Sequence, residues 1–224
     1  MATPAIEEYL EAIYIIGTES PPVKSARVAE VMGVSAPTMT DTVRRLAQQG
    51  YVSIGEGKAL LLTEKGRQAA EALVRRHRLS ERWLVDVLGM DWSKVHDEAC
   101  KLEHALSPEV EERLASFLNN PSTCPHGNPI PGARGTAPAG TLLSEARTGE
   151  EATLLRISSA GEKNPQFLDY LKEKGLVPGT RFKVVEVAPW TGIIRVAVGD
   201  SVVPIGIDSA SQLWVEQEQW TAHP

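Results

Sequence analysis

The sequence predicts a mainly α chain with added β structure: an N-terminal winged helix-turn-helix, a helical middle part and a small C-terminal β-barrel. Three observations predict this fold. Two short helical segments around a glycine-containing turn precede a glycine-rich hairpin, amphipathic helices follow, and short β-like runs come after a proline- and glycine-rich stretch. The 224 residues suffice for two or three small domains. We expect a division into residues 1–73, 74–127, a linker over 128–147, and 148–220.

The N-terminal elements follow from apolar spacing and capping residues. Residues 5–17 place apolar side chains on one helical face. A second helix ends at Gly33, and Ser35 caps a third, with Pro37 in its first turn, where a missing N–H is tolerated. Short strands around the Gly55–Lys58 tip complete a winged helix. A small α+β domain without a role in DNA binding is the alternative.

The third helix is the candidate DNA-reading element. The net charge is −6, but basic residues outnumber acidic ones by eight to five between residues 20 and 75, which permits contacts with phosphates. Small polar side chains at the start of this helix suit base edges and thymine methyl groups, and the basic side chains suit phosphates. The candidate DNA-binding residues are Lys24, Arg27, Ser35, Ala36, Pro37, Thr38, Thr40, Asp41, Arg44, Arg45 and Lys58.

The middle part is predicted to contain three helices, over residues 63–88, 92–106 and 108–118. Their apolar side chains offer more surface than a lone three-helix segment normally hides. Because two-fold dimers are the commonest oligomers, we expect this part to form a homodimer.

The helix predicted over residues 92–106 carries the most informative pattern. One stripe, at spacings i, i+4, i+7 and i+8, consists of His96, Cys100, Glu103 and His104. Together these side chains form a ligand set for a transition metal. His77 and Glu81 form a further pair at i, i+4 on the preceding helix, so two packed helices would supply two metal sites. Solvated charges and a small buried cysteine are the alternative for each residue taken alone.

The composition changes at residues 119–141, which are rich in proline and glycine. This composition predicts an ordered turn followed by a linker. Cys124 and His126 fall in that turn, and we interpret them as structural, with a further metal site as the alternative. Beyond it, a helix over residues 165–174 interrupts a small β-barrel. The β-like runs are 153–157, 181–187, 193–198, 201–205 and 212–216.

Composition narrows the class of protein. No apolar run approaches the roughly 20 residues that cross a bilayer, and the N-terminus lacks the pattern of a signal peptide. Two cysteines make no disulfide framework. We therefore expect a cytoplasmic protein without membrane contact, and no pattern predicts an organic cofactor.

Several stretches resemble the diphtheria toxin repressor family of iron- and manganese-dependent transcription regulators. They are Glu8–Tyr14, Val34–Thr38, Arg76–Arg82, Lys94–Cys100 with Glu103–His104, and Gly127–Gly132. The resemblance is close over residues 1–132 and looser beyond. It implies a winged helix, a helical domain for dimerisation and metal binding, and an SH3-like C-terminal domain.

The resemblance also implies two metal positions in each subunit. His77, Glu81 and His96 match the ancillary position, which the family completes with a glutamate and a glutamine from the SH3-like domain. Glu162 and Gln166 are the matches for these two, although their spacing is one residue longer than in the iron-type pattern.

Cys100, Glu103 and His104 match the primary position, which also takes a side chain from the first helix, here Glu8. Iron-type members carry methionine at this last position, whereas manganese-type members carry aspartate there and glutamate where this chain has Cys100. A carboxylate favours Mn(II) or Fe(II) over softer ions and Cys100 acts in the opposite direction, so Mn(II) is slightly favoured. Glu11, one turn after Glu8, would join through a water or in a second metal.

The sequence therefore predicts a metal-dependent repressor of metal-uptake or homeostasis genes, a homodimer on double-stranded operator DNA and not an enzyme. A metal-dependent hydrolase is one alternative, although no His-Glu-x-x-His motif is present. A metal buffer or chaperone without specific DNA binding is the other.

Overall fold

The computed structural model describes residues 3–133 and 140–217. These residues form two compact units. The first reaches from the N-terminal region to His77 and includes Lys101–Glu111, and the second comprises Arg78–Cys100 and the described residues from Glu112 onward. Within the described ranges, no helix has the length and apolar character needed to cross a membrane.

The first unit contains the predicted winged helix-turn-helix. Its elements are α1 (Pro4–Glu19), α2 (Ser25–Val31), α3 (Ala36–Gln48), β1 (Val52–Ile54) and β2 (Leu60–Leu62). Leu10 and Ile13 of α1 are buried in the same core as Met39 and Leu46 of α3. Because interiors are closely packed, a displacement of α1 is felt by α3.

The start of α3 and the wing follow the local sequence. The Thr38 N–H donates a hydrogen bond of 3.3 Å to Oγ of Ser35, the predicted N-cap. β1 and β2 pair as antiparallel strands. Their tip is a single 3₁₀ turn, Glu56–Lys58, in which Gly57 adopts a φ of 59° that a residue without Cβ reaches at little cost.

Three helices occupy the middle of the sequence: α4 (Glu64–Asp86), α5 (Val95–Leu102) and α6 (Pro108–Phe117). The prediction for α5 was too long at both ends, because Trp92 lies in a turn before it and Glu103 and His104 lie in a turn after it. Glu103 and His104 therefore project from a turn and not from a helical stripe.

The second unit contains an antiparallel six-stranded sheet in the order β3-β8-β4-β5-β6-β7. Its elements are β3 (Thr141–Leu142), β4 (Glu151–Ile157), α7 (Ser159–Glu162), α8 (Pro165–Glu173), β5 (Arg181–Ala188), β6 (Ile193–Val198), β7 (Ser201–Gly206), α9 (Ile207–Ala210) and β8 (Leu213–Gln217). β4 to β8 match the five predicted runs, and Leu154, Val184 and Val196 are fully buried in their core. β3 lies within the segment predicted as linker, of which residues 134–139 are outside the described ranges.

Gly66 offers a test of the packing in the first unit. Alanine ordinarily favours a helix, but a Cβ at position 66 would lie 2.0 Å from the carbonyl oxygen of Tyr51. We expect Gly66→Ala to lower the free energy of unfolding by about 1–3 kcal/mol, measured by urea unfolding. Gly206→Ala is the control, since nothing lies within 4 Å of its Cβ position. Equal stability of Gly66→Ala and the wild type would contradict this close approach.

Candidate metal centres and nucleic-acid surface

The first unit brings together five predicted metal ligands, which we call the first cluster: Glu8, Glu11, His77, Glu103 and His104. The ligand atoms of Glu8, Glu103 and His104 all lie within 4.8 Å of one another. The same is true of the ligand atoms of Glu11, His77 and Glu103. Glu103 therefore belongs to both groups of three.

The Glu103 carboxylate lies at the centre of the first cluster. Its Oε2 is 2.6 Å from Nδ1 of His77, and its Oε1 is 3.4 Å from Nε2 of His104. Glu103 is only 1% exposed. A carboxylate placed in this way is able to give one oxygen to each of two neighbouring cations.

His104 lies between two carboxylates of α1. Its Nε2 is 2.9 Å from Oε1 of Glu8, and its Nδ1 is 3.1 Å from Oε2 of Glu7. Burial alone would lower the pKa of His104, but the hydrogen bonds to Glu8 and Glu7 outweigh that effect and raise the pKa above its usual value. A cation that binds His104 must displace its proton.

The second unit assembles another group of donors, which we call the second cluster: Glu81, Cys124, His126 and Glu162. All four residues are buried, and their ligand atoms lie within 4.8 Å of one another. Nδ1 of His126 is 3.5 Å from Oε1 of Glu81 and 3.3 Å from Oε1 of Glu162. A thiol, an imidazole and two carboxylates form a donor set that divalent transition metals accept.

A tight turn orients the imidazole of the second cluster. The Gly127 N–H donates to the Cys124 carbonyl at 3.0 Å, and the His126 ring stacks on Trp92 with 5.3 Å between ring centroids. Nε2 of His126 lies 2.9 Å from the carbonyl oxygen of Trp92. Because a carbonyl only accepts, Nε2 keeps its proton when the ring is neutral, and the lone pair on Nδ1 faces the carboxylates. Metal-binding histidines are commonly oriented by such a bond on their other nitrogen.

A protonated imidazole offsets part of the negative charge of the two buried carboxylates in the second cluster. Burial raises the pKa of Cys124 to about 11, and the carboxylates of Glu81 and Glu162 add to the effect. Burial acts in the opposite direction on His126, but the carboxylates, Glu81 foremost, raise its pKa above the usual value. The thiol and the imidazole thus hold protons that a divalent cation would have to replace.

The remaining predicted ligands lie in the second unit. His96 has Nδ1 at 3.7 Å from Oε1 of Glu81, and Cys100, one turn later on α5, has Sγ at 3.9 Å from Nε2 of His96. Gln166 is exposed in the first turn of α8.

Cys124 and His126 show what the sequence interpretation missed. They form the ordered turn that was expected, but their side chains also face Glu81 and Glu162. The Cys-x-His spacing was the available signal. Sequence alone does not show which carboxylates meet it, because Glu162 lies 38 residues beyond Cys124.

The predicted DNA-binding residues all lie exposed in the first unit, on α2 and α3 with their N-caps, and on the wing. Arg44 and Asp41 form an ion pair of 2.6 Å on the surface of α3. Nζ of Lys24 donates to the carbonyl of Gly57 at 2.7 Å, which ties the residue before α2 to the tip of the wing. The exposed start of α3 is the part that enters the major groove in helix-turn-helix proteins.

Comparisons with known proteins agree with this arrangement. Residues 1–60 match the family model "Iron dependent repressor, N-terminal DNA binding domain", residues 63–132 match "Iron dependent repressor, metal binding and dimerisation domain", and residues 141–217 match "FeoA domain". The iron-dependent repressor IdeR of Mycobacterium tuberculosis is 37% identical over 222 residues, which cover 94% of this chain and 96% of that protein. The diphtheria toxin repressor of Corynebacterium diphtheriae is 46% identical over 126 residues, 56% of each chain.

Solved structures show the same likeness. A manganese-dependent transcriptional repressor in complex with manganese has a TM-score of 0.86 and 38% identity, over 95% of this chain and all of that one. The manganese regulator SloR has a TM-score of 0.78 and 30% identity, over 97% of this chain and all of that one.

Fold and donor clusters together define a metal-dependent, DNA-binding transcriptional repressor with a C-terminal SH3-like domain. The chain belongs to the iron-dependent repressor family, whose members include the diphtheria toxin repressor. The predicted family, fold class and function are thereby confirmed, as are Mn(II) or Fe(II) as the metals. The individual ligands, the number of metal sites and the domain boundaries stay predictions.

The pKa of His104 leads to a test of the first cluster. We expect Mn(II) binding to weaken as the pH is lowered from about 8 to about 6, because protonated His104 cannot bind a cation. The electron paramagnetic resonance signal of free Mn(II) measures the affinity. The His104→Gln variant lacks this proton, so its weaker affinity should vary less over the same range. An identical pH dependence in both proteins would contradict the assignment.

Proposed function

We propose that this chain represses transcription as a cytoplasmic homodimer, and not as an enzyme, and that it binds operator DNA when Mn(II) or Fe(II) occupies the first cluster. The observation that carries the proposal is the distance of 2.9 Å between Oε1 of Glu8 and Nε2 of His104. Glu8 lies on α1, whose core is shared with α3, and His104 lies in the turn after α5. A cation shared by these two side chains would act directly on the DNA-binding part.

Charge provides the switch in this proposal. Without a cation, the carboxylates of Glu8, Glu11 and Glu103 repel one another at close range. A divalent cation removes that repulsion and ties α1 to the turn after α5. Through the common core of α1 and α3, it would favour the position of α3 that matches successive major grooves, about 34 Å apart in a dimer. The equilibrium shifts only by the difference in metal affinity between the two states.

The donors support the choice of metal. The five residues of the first cluster offer carboxylate oxygens and imidazole nitrogens, a set that suits Mn(II) and Fe(II) better than softer ions. Two relatives among the solved structures are named for manganese, and IdeR is named for iron. We propose Mn(II) as the slightly favoured ion. The second cluster would be the second site in each subunit.

Exposed apolar side chains support the homodimer. Val87 and Leu88, just after α4, are 44% and 54% exposed, and Phe117 at the end of α6 is 65% exposed. All three lie in the segment that matches the metal-binding and dimerisation model. Surfaces of this kind are commonly buried against a partner.

Glu8→Ala tests the proposal. A DNA sequence selected from a random pool by the Mn(II)-loaded wild type serves as the probe, and fluorescence anisotropy measures binding with and without Mn(II). We expect the variant to lose about 10–100-fold of the metal-stimulated affinity, because it lacks one ligand and the link to α1, while sedimentation still shows a dimer. Glu19→Ala removes the same charge elsewhere on α1 and should behave as the wild type.

The alternatives give different results in this experiment. A metal buffer or chaperone would yield no preferred DNA sequence and no stimulation by metal in the wild type. A hydrolase would show metal-dependent turnover that Glu8→Ala abolishes without any effect on DNA. Metal-stimulated DNA binding by Glu8→Ala at the level of the wild type would overturn the role assigned to Glu8.

A further inference from the structure

We propose that Asn128 is a positioning residue of the second cluster, which holds the Glu162 carboxylate in place for a divalent cation. This inference rests on the proposed function, because it requires that the second cluster binds metal. Asn128 belongs to the Gly127–Gly132 stretch. The side chain is completely buried.

The amide of Asn128 has a partner at each of its polar atoms. Nδ2 donates to Oε1 of Glu162 at 2.6 Å and to the carbonyl of Ile157 at 2.7 Å. Oδ1 accepts a hydrogen bond of 3.1 Å from the Arg156 guanidinium. An amide supplies two donors and an acceptor on one short side chain, a combination that this buried position uses in full.

The backbone of Asn128 serves the other ligands of the cluster. Its carbonyl accepts from the Cys124 N–H at 2.8 Å, which closes the turn that carries Cys124 and His126. Gly127, at a φ of 87°, lets this turn lie against β4, since a Cβ there would be 2.1 Å from the carbonyl oxygen of Leu155. One residue thus joins two of the three segments that provide donors: the turn by its backbone, and α7 with Glu162 by its side chain.

The chemistry of the amide explains why this residue type suits the position. Oε1 of Glu162, the oxygen that Asn128 holds, is also the one 3.3 Å from His126 and 3.7 Å from Cys124. A lysine or arginine at position 128 would hold Glu162 too, but its charge would replace that of the cation. A neutral donor orients the carboxylate and leaves its negative charge for the metal. Arg156 reaches this network through Oδ1 of Asn128, with its guanidinium over the Trp214 ring at 4.1 Å.

Co(II) is the probe for this proposal, because a thiolate bound to Co(II) gives a charge-transfer absorption in the near ultraviolet. The part of that absorption that Cys124→Ser removes reports the second cluster. We expect Asn128→Ala to raise the Co(II) concentration needed for this signal by about 10–100-fold, as is typical when a residue that orients a ligand is lost. Asn128→Ser, which keeps one donor, should lie between Asn128→Ala and the wild type.

Two controls separate positioning from a general loss of structure. Mn(II) affinity at the first cluster should be unchanged in Asn128→Ala. Asn164→Ala removes the N-cap of α8, two residues after Glu162, without touching the Asn128 amide, and should keep the affinity of the wild type for Co(II). If Asn128→Ala does not fold, Asn128→Ser gives the same comparison.

The outcomes are distinct. Wild-type Co(II) affinity in Asn128→Ala, or an equal loss of affinity at both clusters, would overturn the positioning role. A wild-type protein without any absorption that depends on Cys124 would instead show that Cys124 binds no Co(II). That result would overturn the second cluster, as defined here, as the second metal site, and it would leave the proposed role of the first cluster standing.

Discussion

The carboxylate of Glu103 is almost completely buried, and its two oxygens face imidazoles from two parts of the chain. Taking such a group out of water is costly unless positive charge compensates it. Histidine protons or metal ions meet this requirement, and the choice between them depends on pH and on metal concentration. The turn after α5 and the contacts of α1 both help to balance the charge of Glu103. Whether protons or a metal ion compensate this carboxylate is therefore coupled to the DNA-binding part of the first unit.

The two clusters differ in their exposure to solvent. In the first, the Glu8 side chain is 44% exposed and that of His104 is 23% exposed, so ions in solution have access to it. In the second, all four residues are buried. The donors come from α4, from the turn that carries Cys124 and His126, and from α7, and Asn128 joins the last two. Exposure of a metal site favours exchange of the bound ion with the solution, as a metal sensor needs. Burial of a site favours an ion that binds once and stabilises the surrounding structure. The donor sets agree with this division, because only the second cluster contains a sulfur.

Local patterns predicted much of the fold and part of the candidate sites. Capping by Ser35, the position of Pro37 and the glycine-rich wing placed the winged helix, because those preferences act over a few residues. The end of α5 was missed because the helical spacing of apolar and polar residues continues past Leu102, where the helix ends. The pairing of Cys124 and His126 with Glu81 and Glu162 is a product of tertiary packing between distant segments. Spacing along the chain carries no information about such a meeting. Helical periodicity paired Glu81 only with His77, and the family resemblance added His96 to that pair.

The burial of Cys124 has a consequence for oxidative chemistry. Peroxides react with the thiolate and not with the thiol, and they need access to the sulfur. Cys124 is 0% exposed and its pKa is raised to about 11, so almost none of it is ionised at neutral pH in the metal-free protein. Its sulfur is therefore a slow target for oxidants while the cluster is empty. Under peroxide stress this thiol would stay reduced, and the donor set proposed for the second metal site would stay intact.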